Sequence, residues 1–223
     1  MNELLFLLQV LTILCATVIA LKIGKEALIA VISILFIFGN LFVLKQIHLF
    51  GFHPTATDAF PVGAMIGLNL LQEYFGEKLA KKTIWICFFC LILYVILTQI
   101  HMFYIPSIYD LSTVHYNALF KSMPRISATS IAVTLSILHL NRIVYSFLQK
   151  KFKHKYLLPR FFISLLIMQF LDTILFAFIA LYGVVSNLRD IIIVSTLVKV
   201  ATGILSVPFV ALVKSMNLKI AKE

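Results

Sequence analysis

Apolar runs long enough to cross a bilayer recur along this chain, separated by short loops that hold most of its charge. A crossing helix needs about 20 consecutive apolar residues. Inside hydrocarbon each backbone N–H and C=O must find a partner within the protein, so a continuous apolar run of that length crosses as a helix. Composition agrees. Hydrophobic residues make up 61% of the chain, against about half in a soluble domain. The expected fold is all-α: a polytopic bundle of membrane helices in one integral membrane domain over residues 1–223, with no separate soluble domain.

Seven transmembrane helices are expected, at about Leu4–Leu21, Ala27–Leu44, Phe60–Phe75, Thr83–Tyr104, Arg125–Leu148, Phe161–Gly183 and Ile191–Val213. The third is short and carries Gly63-x-x-x-Gly67, a spacing that lets helices approach closely. The first has Glu3, no basic residue ahead of its apolar run and no small-x-small pattern after it. It is therefore expected to be retained rather than cleaved as a signal.

Charge orients the bundle. With seven crossings, fourteen Lys and Arg fall on one side, among them Lys22, Lys25, Lys78, Lys81, Lys82 and the run from Lys150 to Lys155. The other side collects four: Lys45, Lys121, Arg125 and Arg189. The positive side is expected to be cytoplasmic, which puts the N-terminus outside and the C-terminus inside. If the third run did not cross, Lys22 and Lys25 would lie opposite the large basic loop. The net charge of +10 is thus a topology signal; no nucleic-acid-binding motif accompanies it. Cys87-x-x-Cys90 has no second pair and no neighbouring His, so no metal or cofactor is expected. No His-Glu-x-x-His or Gly-x-Ser-x-Gly motif is present, so the chain is not expected to be an enzyme.

Ionisable residues inside the spans mark functional sites by default. Asp172 lies roughly 16 Å below the outer end of its span and Lys199 roughly 12 Å below that of the next, at 1.5 Å per residue. At such similar depths they can pair, whether to lock two helices or to build a site. Glu73, near the cytoplasmic end of the third span, is either a site residue or an interfacial partner of Lys78 or Arg142. Helical spacing sets polar residues around each: Asn69, Gln72 and Glu73; Gln169, Asp172 and Thr173; Ser195, Lys199, Thr202 and Ser206. Such stripes must face one another or water, and together with Asn40 they outline an internal polar cavity. Trp85 or Phe176 is available to stack on a flat ligand.

Asn69-Leu-Leu-Gln-Glu73-Tyr-Phe-Gly76-Glu-Lys78-Leu-Ala80-Lys81-Lys82 resembles the signature of the queuosine precursor transporter family, a vitamin uptake transporter group. Asn40 with Lys45, Arg125-Ile-Ser-Ala-Thr-Ser130, Gln169-Phe-Leu-Asp172-Thr173 and Lys199 with Pro208 fit the family's other motifs in order. Asn69 stands where the family has Asp, and so does Asn141. The likeness covers residues 27–218, which would be six family helices, and leaves 1–26 as an extra N-terminal helix. The resemblance implies import of queuine or a related 7-deazaguanine across a bacterial inner membrane. Asn40, Asn69, Glu73, Arg125, Gln169, Asp172 and Lys199 are the expected substrate-binding residues. A guanine-like base offers an N1–H and an amino group to a carboxylate, and further edges to amides. Partners are then the bilayer and the small base, with no nucleic acid. A homodimer stays open, as does the alternative of a substrate-binding membrane subunit that works with a separate ATPase.

Overall fold

The computed structural model describes residues 1–43, 45–51, 57–120, 123–153, 155–181 and 188–215. Two glycines set its first turns. Gly24, at φ 146°, ends α1 (Asn2–Ile23) and begins α2 (Lys25–Leu41). Gly76, at φ 90°, does the same between α3 (Ala59–Phe75) and α4 (Glu77–Met102). A side chain would be strained at either angle, so only glycine reverses the chain in one residue. The Gly76 N–H closes α3 on the Gln72 carbonyl at 3.1 Å, and its own carbonyl accepts from the Ala80 N–H at 3.3 Å. Helix α4 consequently starts six residues before the sequence reading placed it.

After α4 the chain makes a short helix, α5 (Thr113–Phe120), inside what the sequence reads as a plain loop. Asp110 starts it: its carboxylate accepts from the Thr113 hydroxyl and from the N–H groups of Ser112 and Thr113. The Thr113 bond and then the Ser112 bond hold that carboxyl below the usual range. Long α6 (Met123–Lys151) and α7 (Leu157–Phe176) follow. Pro159 falls in the first turn of α7, where a missing N–H costs little. A π-helical turn, Ala177–Leu181, continues α7, and α8 (Leu188–Ser215) completes the bundle.

Five of these helices, α1, α4, α6, α7 and α8, are long and apolar enough to cross a membrane. Helices α2 and α3 have 17 residues each, at the lower limit for a crossing. No strand occurs among the described residues. Helix α3 is the core: all its residues from Ala59 to Gln72 are buried except Pro61. It touches α1, α2, α4, α6, α7 and α8. A helix apolar on every side belongs at the centre of a bundle. Its two glycines allow the close fit. A Cβ at Gly63 would collide with Ile13 of α1, and one at Gly67 would sit 2.8 Å from Ile32 of α2. The outer surface is apolar instead, with Phe89, Leu93, Ile96, Leu97 and Ile100 of α4 all exposed. That inversion suits lipid as the solvent, and the chain is a multi-pass membrane protein.

Candidate functional site

Because α3 is apolar on all sides, its few polar residues each need a partner from another helix, and they find three separate groups. Nearest its C-terminal end, Glu73 accepts from both Nη atoms of Arg160, at 3.0 and 3.2 Å. It also accepts from the Tyr145 hydroxyl at 2.9 Å and Gln149 Nε2 at 2.8 Å. Arg160 is 1% exposed. This corrects the partner expected for Glu73: Arg142 pairs with Glu77 instead. Beside it, Gln72 Nε2 donates to the Ser146 hydroxyl at 2.8 Å. These residues lie at the end of the bundle that holds the Gly76 turn.

One turn further in, Asn141 Nδ2 donates to Asn69 Oδ1 at 2.8 Å, and the Ser164 hydroxyl donates to Asn141 Oδ1 at 2.8 Å. All three are fully buried. Gln169 lies near this level and donates to Met65 Sδ at 3.5 Å. Asn69 Nδ2 and Gln169 Oε1 have no hydrogen-bond partner among the described residues. Asn69 and Asn141, the two positions where the resemblance implies Asp, therefore meet across α3 and α6 as a pair of amides. Two amides share hydrogen bonds where two carboxylates would repel.

The third group surrounds a cavity of about 120 Å³ at the opposite end, well above the ~10–15 Å³ that one water requires. Helix α2 contributes Phe36 and Asn40, the start of α3 Asp58 and Pro61, and α6 Ser130 and Thr134. Asp172, Thr173 and Phe176 come from α7, and Ser195 and Lys199 from α8. Lys199 Nζ donates to Asp172 Oδ2 at 2.6 Å and to the Thr173 hydroxyl at 3.0 Å. The pairing expected from matching depth is present. Asn40 donates to the Phe36 carbonyl at 3.0 Å, which orients the amide and leaves its oxygen as an acceptor. The π-helical turn follows directly on Phe176, so the wall departs from regular helix at the cavity, a frequent feature of functional sites.

Of the expected site residues, Asn40, Asp172 and Lys199 line this cavity, while Asn69, Glu73 and Gln169 belong to the other two groups. Arg125 is in the first turn of α6, and its side chain lies outside the described residues. Phe176 faces the cavity. Trp85 instead packs edge-on against Phe88 and His139, half exposed on the outside of α4. Asp58 is the residue the sequence reading passed over. It borders a loop, yet it is buried and accepts from the Ser195 hydroxyl at 3.2 Å. The available signal was its place directly before a helix that is apolar all round.

A cavity with an ion pair, an amide, hydroxyls and two phenylalanines among its walls combines apolar surface with a few placed polar groups, the mix that small-molecule sites use. A protein-family profile described as "Putative vitamin uptake transporter" matches residues 54–213. A Bacillus subtilis (strain 168) protein named "Probable queuosine precursor transporter" is 27% identical over 196 residues, covering 86% of each chain. No solved structure gives a significant match. With its match running from the start of α3 to the end of α8, the chain belongs to the putative vitamin uptake transporter family.

Proposed function

We propose that this transporter imports a queuosine precursor, queuine or a related 7-deazaguanine, into the bacterial cytoplasm. The observation that carries the proposal is the cavity in which Asp172, Lys199, Asn40, Phe36 and Phe176 converge. Lys199 holds Asp172 in place, and the carboxylate accepts from the N1–H and exocyclic amino group of the base. The remaining Lys199 N–H serves the ring carbonyl, and the Asn40 oxygen serves another ring edge. Phe36 and Phe176 cover the ring faces. The name of the Bacillus subtilis relative supports this choice of base.

All seven long helices cross in this reading, with the N-terminus outside, and the cavity then opens from the outer half. Below it, the Asn69–Asn141–Ser164 and Glu73–Arg160 groups close the path to the cytoplasm. Import requires them to part while the outer half closes, the usual alternation around a central site. Uptake of labelled queuine into cells that lack their own route tests the proposal. Accumulation is expected with this chain and not with Lys199→Ala. Uptake no greater than in cells carrying an empty vector would overturn it.

A further inference from the structure

Where α4 and α6 pack side by side they leave a narrow crease. Ile84, Leu91 and Leu138 form its buried floor, and Phe88, Ile131 and Leu135 its partly exposed rim. It encloses about 10 Å³, too little for a separate ring or ion. From Ile84 to Leu91 it runs roughly 10 Å along α4, at 1.5 Å per residue. Toward the Gly76 turn its chemistry changes. Phe88 meets Trp85 edge-on, with 5.8 Å between ring centroids, and Trp85 meets His139 at 5.6 Å. Trp85 is 49% exposed, as suits an indole at a membrane–water boundary. One turn nearer the helix ends stand two cations. Lys81 precedes Trp85 by four residues on α4, and Arg142 follows His139 by three on α6, so each shares a helix face with its ring. Both charges act on the His139 imidazole. Arg142 pairs with Glu77 through one Nη, and its Nε has no partner among the described residues. Lys81 is exposed. Two cations thus face one carboxylate.

We infer that this seam binds one anionic phospholipid from the leaflet on the basic side of the bundle. The lipid phosphate sits between Lys81 and Arg142, whose guanidinium keeps donors beyond the one given to Glu77. The glycerol region lies against the Trp85 indole, and one acyl chain follows the crease toward the middle of the membrane. The order along the seam is the order along a phospholipid: charge, then an amphipathic ring, then hydrocarbon. A free phosphate matches only the first part and a neutral lipid only the rest. Bound there, the lipid bridges α4 and α6 at the end of the bundle where Glu73 and Arg160 join. The site is separate from the cavity and independent of which base the cavity takes.

Trp85 is the chain's single tryptophan, so its fluorescence reads the seam directly. The purified full chain is reconstituted in phosphatidylcholine bilayers with rising fractions of acyl-brominated phosphatidylglycerol or, separately, acyl-brominated phosphatidylcholine, and quenching by bromine is followed. Phosphatidylglycerol is expected to reach half-maximal quenching at a mole fraction about fivefold lower or better, the scale of one basic residue acting on an anionic headgroup. In the double variant Lys81→Gln with Arg142→Gln the two curves coincide. Lys150→Gln with Lys151→Gln, in the last turn of α6, keeps them apart. Coincident curves in the wild type, or a preference retained without Lys81 and Arg142, overturn the site. A preference lost equally without Lys150 and Lys151 reduces it to general attraction by the basic face and also overturns it. Glycerol phosphate in solution is expected to leave the quenching unchanged; if it abolishes the preference, the seam takes free phosphate and the lipid assignment falls. The wild-type curves decide the matter even if the Lys81 and Arg142 variant fails to fold.

Discussion

A carboxylate on a membrane helix persists only where neighbouring side chains replace water, and Glu73 shows how many that takes. Arg160, Tyr145 and Gln149 all donate to it. Arg160→Met should therefore destabilise the fold by about 3–5 kcal/mol, because it strands a buried charge. Adding Glu73→Gln should recover much of the loss. Unfolding of both variants in detergent measures this, and an unchanged melting point for Arg160→Met would refute it. Asp172→Asn and Lys199→Ala should each abolish queuine uptake while membrane insertion stays normal. Unimpaired uptake in either would reduce the pair to a helix lock. Asp172 and Lys199 were legible in the sequence because an ionisable residue inside an apolar run is conspicuous and depth follows from residue count. The partner of Glu73 was not, since Arg160 lies 87 residues away and no periodicity encodes that meeting. Asp58 was hidden by its place at the edge of a loop.

At the scale of elements, α3 decides how the bundle closes. Its Gly63-x-x-x-Gly67 spacing announced close packing, and α1 and α2 supply the other side through Ile13 and Ile32. Gly63→Ala should cost about 1–3 kcal/mol through overpacking. Ile13→Ala placed beside it should restore part of that stability, read as the folded fraction recovered from membranes. If Gly63→Ala is as stable as wild type, α1 does not pack where described. The expected Phe60–Phe75 matches α3 to within one residue, whereas the start of α4 was less legible. Glu77, Lys78, Lys81 and Lys82 read as a polar loop ahead of the apolar run, and only the positive φ of Gly76 shows a one-residue turn that starts α4 among them. Helix α5 escaped notice because eight residues carry too little periodicity to stand out from a loop.

For the whole molecule, the proposed topology of seven crossings with the N-terminus outside rests on the spread of basic residues. That proposed topology puts residue 107 outside and residue 151 in the cytoplasm. In a cysteine-free background, Ser107→Cys should react with a membrane-impermeant maleimide from outside intact cells. Lys151→Cys should react only after permeabilisation. The reverse pattern would refute the orientation. The helical class was readable because hydrocarbon imposes length and polarity directly, and five of the seven expected spans are helices long and apolar enough to cross. The division of polar residues into three groups was not, because one helical stripe can serve several neighbours at different depths. The central claim is that the cavity at Asp172 and Lys199 carries a queuosine precursor. It is tested most directly by loading purified protein into liposomes and following labelled queuine. The account predicts saturable uptake, suppressed by excess unlabelled queuine and absent in Lys199→Ala. Uptake no greater than in protein-free liposomes would contradict it.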